Sequence, residues 1–290
     1  KERGYNKLIG NVPELYEFND DPKRAYQLKI PLKFWFCKFV GSSIPLVALN
    51  NSEIEITIKL KNFNEISYHE PFVQFNRKIE ASGYLIAEYI YVESEERNSL
   101  VSNRLEYLVE QVQSNGNVVI NKDSLDCESR IRERLFFENP CKEIFWALQN
   151  VSFINGSLKN CERMYYNYTL DPYCERINPA KVVKIEFCGR DREHYKCAEF
   201  YDKVVPYARH YSTPSEGINV YSFALRPEVF NPSGSVNLSK LDDVVLNMIL
   251  KELTVADMRC NNAVYRLPIY LLSYNILRVF GGHCGLAFYK

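Results

Sequence analysis

Nowhere does the chain offer a run of about 18 uncharged apolar residues, the least that spans a bilayer as a helix. Its most apolar stretch, Leu267 to Phe280, is broken by Pro268, Asn275 and Arg278. Net charge is missing too, because 36 Lys plus Arg balance 36 Asp plus Glu. A neutral chain exerts no overall pull on nucleic acid or an anionic membrane, so direct nucleic-acid binding is not expected. The four histidines, His69, His194, His210 and His283, match no metalloprotease or nucleophile-elbow pattern. No signal-peptide pattern opens the chain, and it starts at Lys1 without an initiator Met, which suggests a fragment or a processed product.

What is present is a globular composition. Hydrophobic residues make up 46% of the 290 and charged residues 25%, too apolar for a disordered chain. With 21 Tyr and 17 Phe against 3 Met, the apolar residues favour pleated, half-buried surfaces and hence β structure. Nine cysteines (Cys37, Cys127, Cys141, Cys161, Cys174, Cys188, Cys197, Cys260 and Cys284) are odd in number and irregularly spaced. Cys37 and Cys141 lie in apolar runs, where a reduced thiol behaves as a small hydrophobe. A reducing compartment is expected, with an oxidised framework as the alternative.

Hydrophobic periodicity marks short strands. Ile54, Ile56, Ile58 and Leu60 alternate with Glu53, Glu55, Thr57 and Lys59, the period of a half-buried strand. Further strands are expected at Tyr84–Val92, Ile144–Leu148, Val182–Phe187, Asn219–Leu225, Val244–Leu250 and Tyr270–Val279. One principal helix is expected near residues 94–113. Ser94 caps it, Glu95 and Glu96 face its positive end, and Leu100, Val101, Leu105, Leu108, Val109 and Val112 recur at helical spacing. A lone helix between strand-rich halves reads as a connector, with a domain boundary near residue 115. Many short strands with Gly/Pro punctuation mean a sandwich or jelly roll.

Candidate chemistry is sparse. Cys188, His194 and Cys197 would supply three metal ligands, but their spacing matches no paired-Cys zinc knuckle; a loop with two thiols and a surface His is the other reading. Gly281-Gly282-His283-Cys284-Gly285 lacks phosphate-binding spacing and reads as a tight turn or bulge. Asp242-Asp243 and Glu95-Glu96 are sequence neighbours, a poor geometry for an acid/base pair, and read as a solvated turn and a helix start. Asn50, Asn150, Asn155, Asn167 and Asn237 each head an Asn-x-Ser/Thr triplet, read as chance occurrences in a chain without a signal peptide. No catalytic, cofactor-binding or metal residue is assigned, and no cofactor is expected.

Several islands, in order, resemble the major capsid proteins of the nucleocytoplasmic large DNA viruses. They begin with Ile9-Gly10-Asn11-Val12, Leu32-Lys33-Phe34-Trp35-Phe36-Cys37 and Ile44-Pro45-Leu46-Val47-Ala48-Leu49. Glu88 to Arg97 follows with Tyr107-Leu108-Val109-Glu110-Gln111, then Asn139-Pro140-Cys141-Lys142-Glu143-Ile144-Phe145-Trp146, where the family usually carries His in place of Asn139. The most specific island runs from Gly217-Ile218-Asn219-Val220-Tyr221-Ser222-Phe223-Ala224-Leu225-Arg226-Pro227 through Asn231-Pro232-Ser233-Gly234 to Asn237-Leu238-Ser239. Tyr274-Asn275-Ile276-Leu277-Arg278 and Gly285-Leu286-Ala287-Phe288 close the chain in the same manner.

The resemblance implies an all-β double jelly roll, two tandem eight-stranded β-sandwiches with a connecting helix. Residues 1–115 would hold the latter part of an incomplete first jelly roll plus the helix, and 116–290 the second. Phe34, Trp35, Phe36 and Trp146 would anchor the cores, and Pro227 with Pro232-Ser233-Gly234 would set turns at a sandwich corner. It further implies a structural, non-enzymatic capsid subunit that forms a homotrimeric, pseudo-hexagonal capsomer and tiles an icosahedral virion shell in the host cytoplasm. Its partners would be its own copies, neighbouring capsomers and minor capsid proteins. The alternatives are a minor capsid or penton jelly-roll protein, a carbohydrate-binding jelly-roll module, and a cupin-type metal enzyme, against which four scattered histidines argue. Thiol titration of the denatured protein is expected to find most cysteines reduced, and elemental analysis no stoichiometric zinc. Few titratable thiols, or one zinc per chain, would contradict this reading.

Overall fold

A computed structural model describes residues 2–16, 25–60, 82–155, 166–170 and 177–288. The chain divides into two compact units. One runs to residue 103 and includes 280–283; the other spans 104–279 and resumes at 284.

In the first unit, helices Glu2–Ile9 and Pro13–Tyr16 precede three single turns at Trp35–Cys37, Val40–Ser42 and Leu46–Ala48. Helix Ser94–Ser102 comes last. The expected strands at 53–60 and 84–92 join no ladder among the described residues, and Ile54, Ile58, Leu60, Tyr84 and Ile86 are exposed. Alternation gives a segment a strand's pattern, but only a hydrogen-bonding neighbour makes it one. The aromatic island also differs from expectation. Phe34 stacks on Phe36 with centroids 5.0 Å apart, yet Phe34 and Cys37 are exposed and Trp35 and Phe36 only half-buried.

Apart from Phe280 and His283, the second unit contains the strands β1 (Leu105–Ile120), β2 (Arg130–Arg134), β3 (Pro140–Ala147), β4 (Gln149–Asn150), β5 (Ala180–Phe187), β6 (Arg190–Cys197), β7 (Ile218–Ser222), β8 (Val236–Asn237), β9 (Val244–Leu250), β10 (Tyr265–Phe280) and β11 (His283–Leu286). A seven-stranded sheet runs in the order β1-β10-β3-β7, with β4 and β11 also on β10 and β8 on β3. A four-stranded sheet runs β2-β9-β5-β6. The ladders β1–β10, β10–β3, β3–β7, β2–β9, β9–β5 and β5–β6 are antiparallel.

One core joins the two sheets. Ile144, Trp146, Tyr221, Leu267, Ile269 and Leu271 come from the larger, and Ile131, Val183, Ile185, Leu246 and Met248 from the smaller. Trp146 meets Tyr201 edge-on at 5.2 Å. The strands expected at 144–148, 182–187, 219–225, 244–250 and 270–279 are found as β3, β5, β7, β9 and β10, β7 stopping at Ser222.

The expected helix at 94–113 is corrected. It ends at Ser102, and its N-cap is Glu93 with no side-chain cap bond, not Ser94. Residue 115 lies inside β1. Leu105, Tyr107, Val109, Gln111, Gln113 and Asn115 turn inward at a period of two, while Glu106, Val112 and Ser114 stay exposed. The inward face turns polar halfway, which hid the alternation. Those polar groups are satisfied by distant partners. Gln113 Nε2 donates to Glu138 O (2.8 Å) and Ser273 Oγ (2.9 Å), and Asn115 Nδ2 donates to Glu133 Oε1 (2.7 Å) on β2. Helix Glu252–Cys260 was not foreseen; it buries Thr254, Val255 and Met258.

The face assignments are open to mutation. Leu271 is 0% exposed, whereas Val112 on the adjoining strand is 70% exposed. Leu271→Ala should cost about 2–5 kcal/mol, and Val112→Ala no more than about 0.5 kcal/mol. Shifts of the urea midpoint read both.

Candidate functional site

The residues singled out for possible chemistry do not converge. Cys188, His194 and Cys197 are all exposed, and His194 Nδ1 lies 3.0 Å from Asp191 Oδ2. No group of three His, Cys, Asp or Glu that would hold a metal occurs among the described residues. His69, Cys161 and Cys174 fall outside the described residues. Gly281 and Gly282 form the turn between β10 and β11 at φ 60° and 86°, and His283 is exposed. Asp243 binds Arg134 Nε at 2.8 Å, and Glu95 and Glu96 sit in the first turn of their helix. None of Cys37, Cys127, Cys141, Cys188, Cys197 and Cys260 forms a disulfide.

Three of the Asn-x-Ser/Thr triplets have a local structural use. Asn150, Asn167 and Asn237 each accept, through Oδ1, the backbone N–H two residues on, at 2.9, 3.0 and 3.1 Å. These are Asx turns, which the asparagine side chain closes by imitating a backbone carbonyl. Asn50 stands exposed in a turn, and the residues after Asn155 lie outside the described set.

The family-like islands of the second unit meet in pairs. Asn139 N–H donates to Ser239 Oγ (2.8 Å), and Leu238 N–H donates back to Asn139 O (3.2 Å). Arg226 N–H donates to Ser233 Oγ at 2.8 Å, so Pro232-Ser233-Gly234 closes the loop begun at Leu225-Arg226-Pro227. Asn275 is the junction of three islands. Its Nδ2 donates to Gln111 Oε1 (2.9 Å) and Phe288 O (2.8 Å), and its Oδ1 accepts from Ile276 N–H (2.8 Å). Gly217 opens the most specific island at φ 86°, and a Cβ there would overlap the Tyr168 carbonyl oxygen, so only glycine fits.

The strongest concentration of titratable groups is one the sequence reading did not assign. On β3, Glu143 pairs with Leu272 and Ser222, and Ile144 with Leu271 and Tyr221. Because Ile144, Leu271 and Tyr221 face the core, Glu143 faces the other side of the sheet. Lys142 sits at the register shift beside it. Its ammonium meets Glu110 Oε1 of β1 at 2.5 Å and lies 5.4 Å from the Tyr274 ring centre. His210, just past helix Val205–Arg209, brings Nε2 to 2.7 Å from Glu143 Oε1. The two stand within ion-pair distance when His210 is protonated. Side-chain exposure is 2% for Lys142, 4% for Glu143 and 10% for His210.

The cluster shifts its members' protonation. The Glu143 carboxylate raises the His210 pKa above its ordinary value, against the opposing effect of burial. Burial, reinforced by Glu110 and Glu143, pushes the Tyr274 hydroxyl up to about 12. Burial first, then Glu143, drives the Cys141 thiol far upward. A thiol held protonated and fully buried is no nucleophile. The signal for this cluster was Lys142-Glu143 in an otherwise apolar strand island, matched by Glu110 in another. An open groove beside helix Glu252–Cys260, lined by Glu128, Lys181, Glu252 and Arg259, contains none of these groups.

Paired sheets around an aromatic core, with buried charges tying strand to strand, place the protein among the jelly rolls. Residues 96–285 match the family described as large eukaryotic DNA virus major capsid protein, and residues 1–92 match the major capsid protein N-terminus. The chain belongs to that major capsid protein family. It is 26% identical over 389 residues to probable capsid protein 4 of Acanthamoeba polyphaga mimivirus, covering 99% of this chain and 73% of that protein. It is likewise 26% identical over 396 residues to the major capsid protein of Phaeocystis pouchetii virus, covering 99% and 74%. Among solved structures, the PBCV-1 virus capsid quasi-atomic model superposes with a TM-score of 0.67 at 22% identity, over 100% of this chain and 79% of that one. That likeness establishes the double jelly-roll fold.

Removing one partner of a buried ion pair strands the other. Lys142→Ala should therefore cost about 3–5 kcal/mol, and the double replacement Lys142→Met with Glu110→Leu should recover much of that loss. Denaturation midpoints of the three proteins check it.

Proposed function

We propose that the protein builds the virion shell as a homotrimer, each trimer a pseudo-hexagonal block that meets neighbouring capsomers and minor capsid proteins. The family match, which runs nearly end to end, carries this reading. In tandem, the stretch before helix Ser94–Ser102 contributes the latter part of a first jelly roll, and the stretch after it a second. The site of action is the capsid, with assembly in the host cytoplasm.

Surface chemistry supports assembly by lateral contact. Val112, Val119, Phe136 and Tyr270 of the second unit are exposed and available to an interface. Edge growth is discouraged where it would be harmful. The outer strands of the four-stranded sheet, β2 (Arg-Ile-Arg-Glu-Arg) and β6 (Arg-Asp-Arg-Glu-His-Tyr-Lys-Cys), are heavily charged, which opposes pairing with another chain's strand. Closed three-fold symmetry then limits growth at the trimer. The role is structural and not catalytic, in keeping with charges that bind strands together. Among the described residues no helix is long and apolar enough to cross a membrane.

Permanent interfaces of this kind bury about 2,000 Å² or more in total, so the trimer should resist dilution. Light scattering of the full-length protein across a dilution series is expected to report three chains throughout. A monomer at high concentration would count against the assembly.

A further inference from the structure

We propose that the contact between His210 and Glu143 is a proton-dependent latch, which holds the helical segment Phe200–Arg209 closed over the free edge of β7.

Among the described residues, strand β7 ends the seven-stranded sheet. The segment Phe200–Arg209, a π-turn followed by an α-turn, packs against that strand. Its beginning is pinned on the core side. The Tyr201 ring lies 6.4 Å from Tyr221 of β7, and its hydroxyl donates to Val183 O at 3.2 Å in the opposite sheet. Asp202 accepts from Asn178 Nδ2 at 3.2 Å, and the same amide reaches Asn219 of β7 at 2.9 Å. The far end is pinned on the other face, where His210 meets Glu143 at 2.7 Å. The segment thus wraps the edge, with one anchor on each side of the sheet. An edge covered by a helix is protected from pairing with foreign strands.

The two anchors differ in kind. Aromatic packing of Tyr201 and hydrogen bonds made by Tyr201 and Asp202 hold the first, while the second rests on the contact of His210 with Glu143. The groups around His210 are Glu143 from β3, Glu228 from the loop after β7, and the Val205 carbonyl of its own segment. Glu228 also accepts the Tyr211 N–H at 3.2 Å. Behind Glu143 stand Lys142, Glu110 of β1 and Tyr274 of β10. Lys142 pairs with Glu110, and among the described residues His210 is the basic side chain that meets Glu143. A protonated His210 supplies the second cation, and a neutral His210 leaves Glu143 buried without one.

The direction follows from the raised His210 pKa. The latch is complete below the unfolded histidine value of 6.5. It weakens as pH rises through the higher folded value. Alkaline conditions therefore loosen residues 200–210 and uncover the β7 edge, while the β5–β9 ladder stays closed.

Hydrogen–deuterium exchange of the full-length protein between about pH 6 and about pH 9, corrected for intrinsic chemistry, tests this. Residues 200–210 should lose protection on the basic side, with β5 and β9 unchanged. His210→Gln should be loose at every pH, and His210→Lys should keep the segment protected into the basic range. Wild-type protection at 200–210 that does not change with pH, or a loss spread evenly over the chain, would overturn the latch, whether or not the variants fold. So would a His210→Gln protein that keeps the wild-type pH response.

Discussion

The ladder between β1 and β10 is the constraint on which the second unit depends. Both strands are 16 residues long, and the Gln111–Asn275 bond across them spans 164 residues of sequence. Closing so long a loop carries a large entropic cost that local contacts cannot offset. Once it is closed, β10 presents its other edge to β3 and β4 and sets the register of the larger sheet. Inward residues such as Leu267, Ile269 and Leu271 then face the smaller sheet together. A fold built this way has high contact order and is expected to form slowly.

That topology explains why the family-like islands look as they do. Each is half of a junction whose other half is distant in sequence. Asn139 needs Ser239, Arg226 needs Ser233, and Asn275 needs both Gln111 and Phe288. The islands are rich in Asn, Ser, Pro and Gly because corners of a sandwich leave backbone groups that only short polar side chains or tight turns can satisfy. Their polar residues are structural joints, which suits a protein whose task is to hold a shape against its neighbours.

Burying Lys142, Glu143, Glu110 and His210 on one sheet face is costly in isolation. A well-packed apolar replacement is often as stable or more so. What charge adds is specificity of register and sensitivity to protons. Glu143 meets His210 only when β3 and the helical segment Phe200–Arg209 are both correctly placed. The segment's other anchor relies on the packing of Tyr201 and on the bond that Asp202 accepts from Asn178. Stability and responsiveness are thereby assigned to opposite ends of one short helix.

Much of the second unit was legible in local pattern. Val244–Leu250, with its leading valine pair, is a strand over the residues expected, and Trp146 sits in the core as its size requires. Where the pattern failed, the cause was distance. Residues 105–113 carry apolar spacing compatible with a helix, yet Arg278, Leu277 and Ile276 arrive from the far end of the chain and make them a strand. Ile54, Ile56 and Ile58 alternate as a strand should, yet no described residue pairs with them. The buried charges were visible only as oddities within apolar islands. By itself the sequence determined the β-rich class, the turn chemistry and the family, because propensity, alternation and motif order are local properties. Only the tertiary structure decided which strand partners which, where the helix stops, and that His210 meets Glu143, because each of these depends on groups far apart in the chain and adjacent in space.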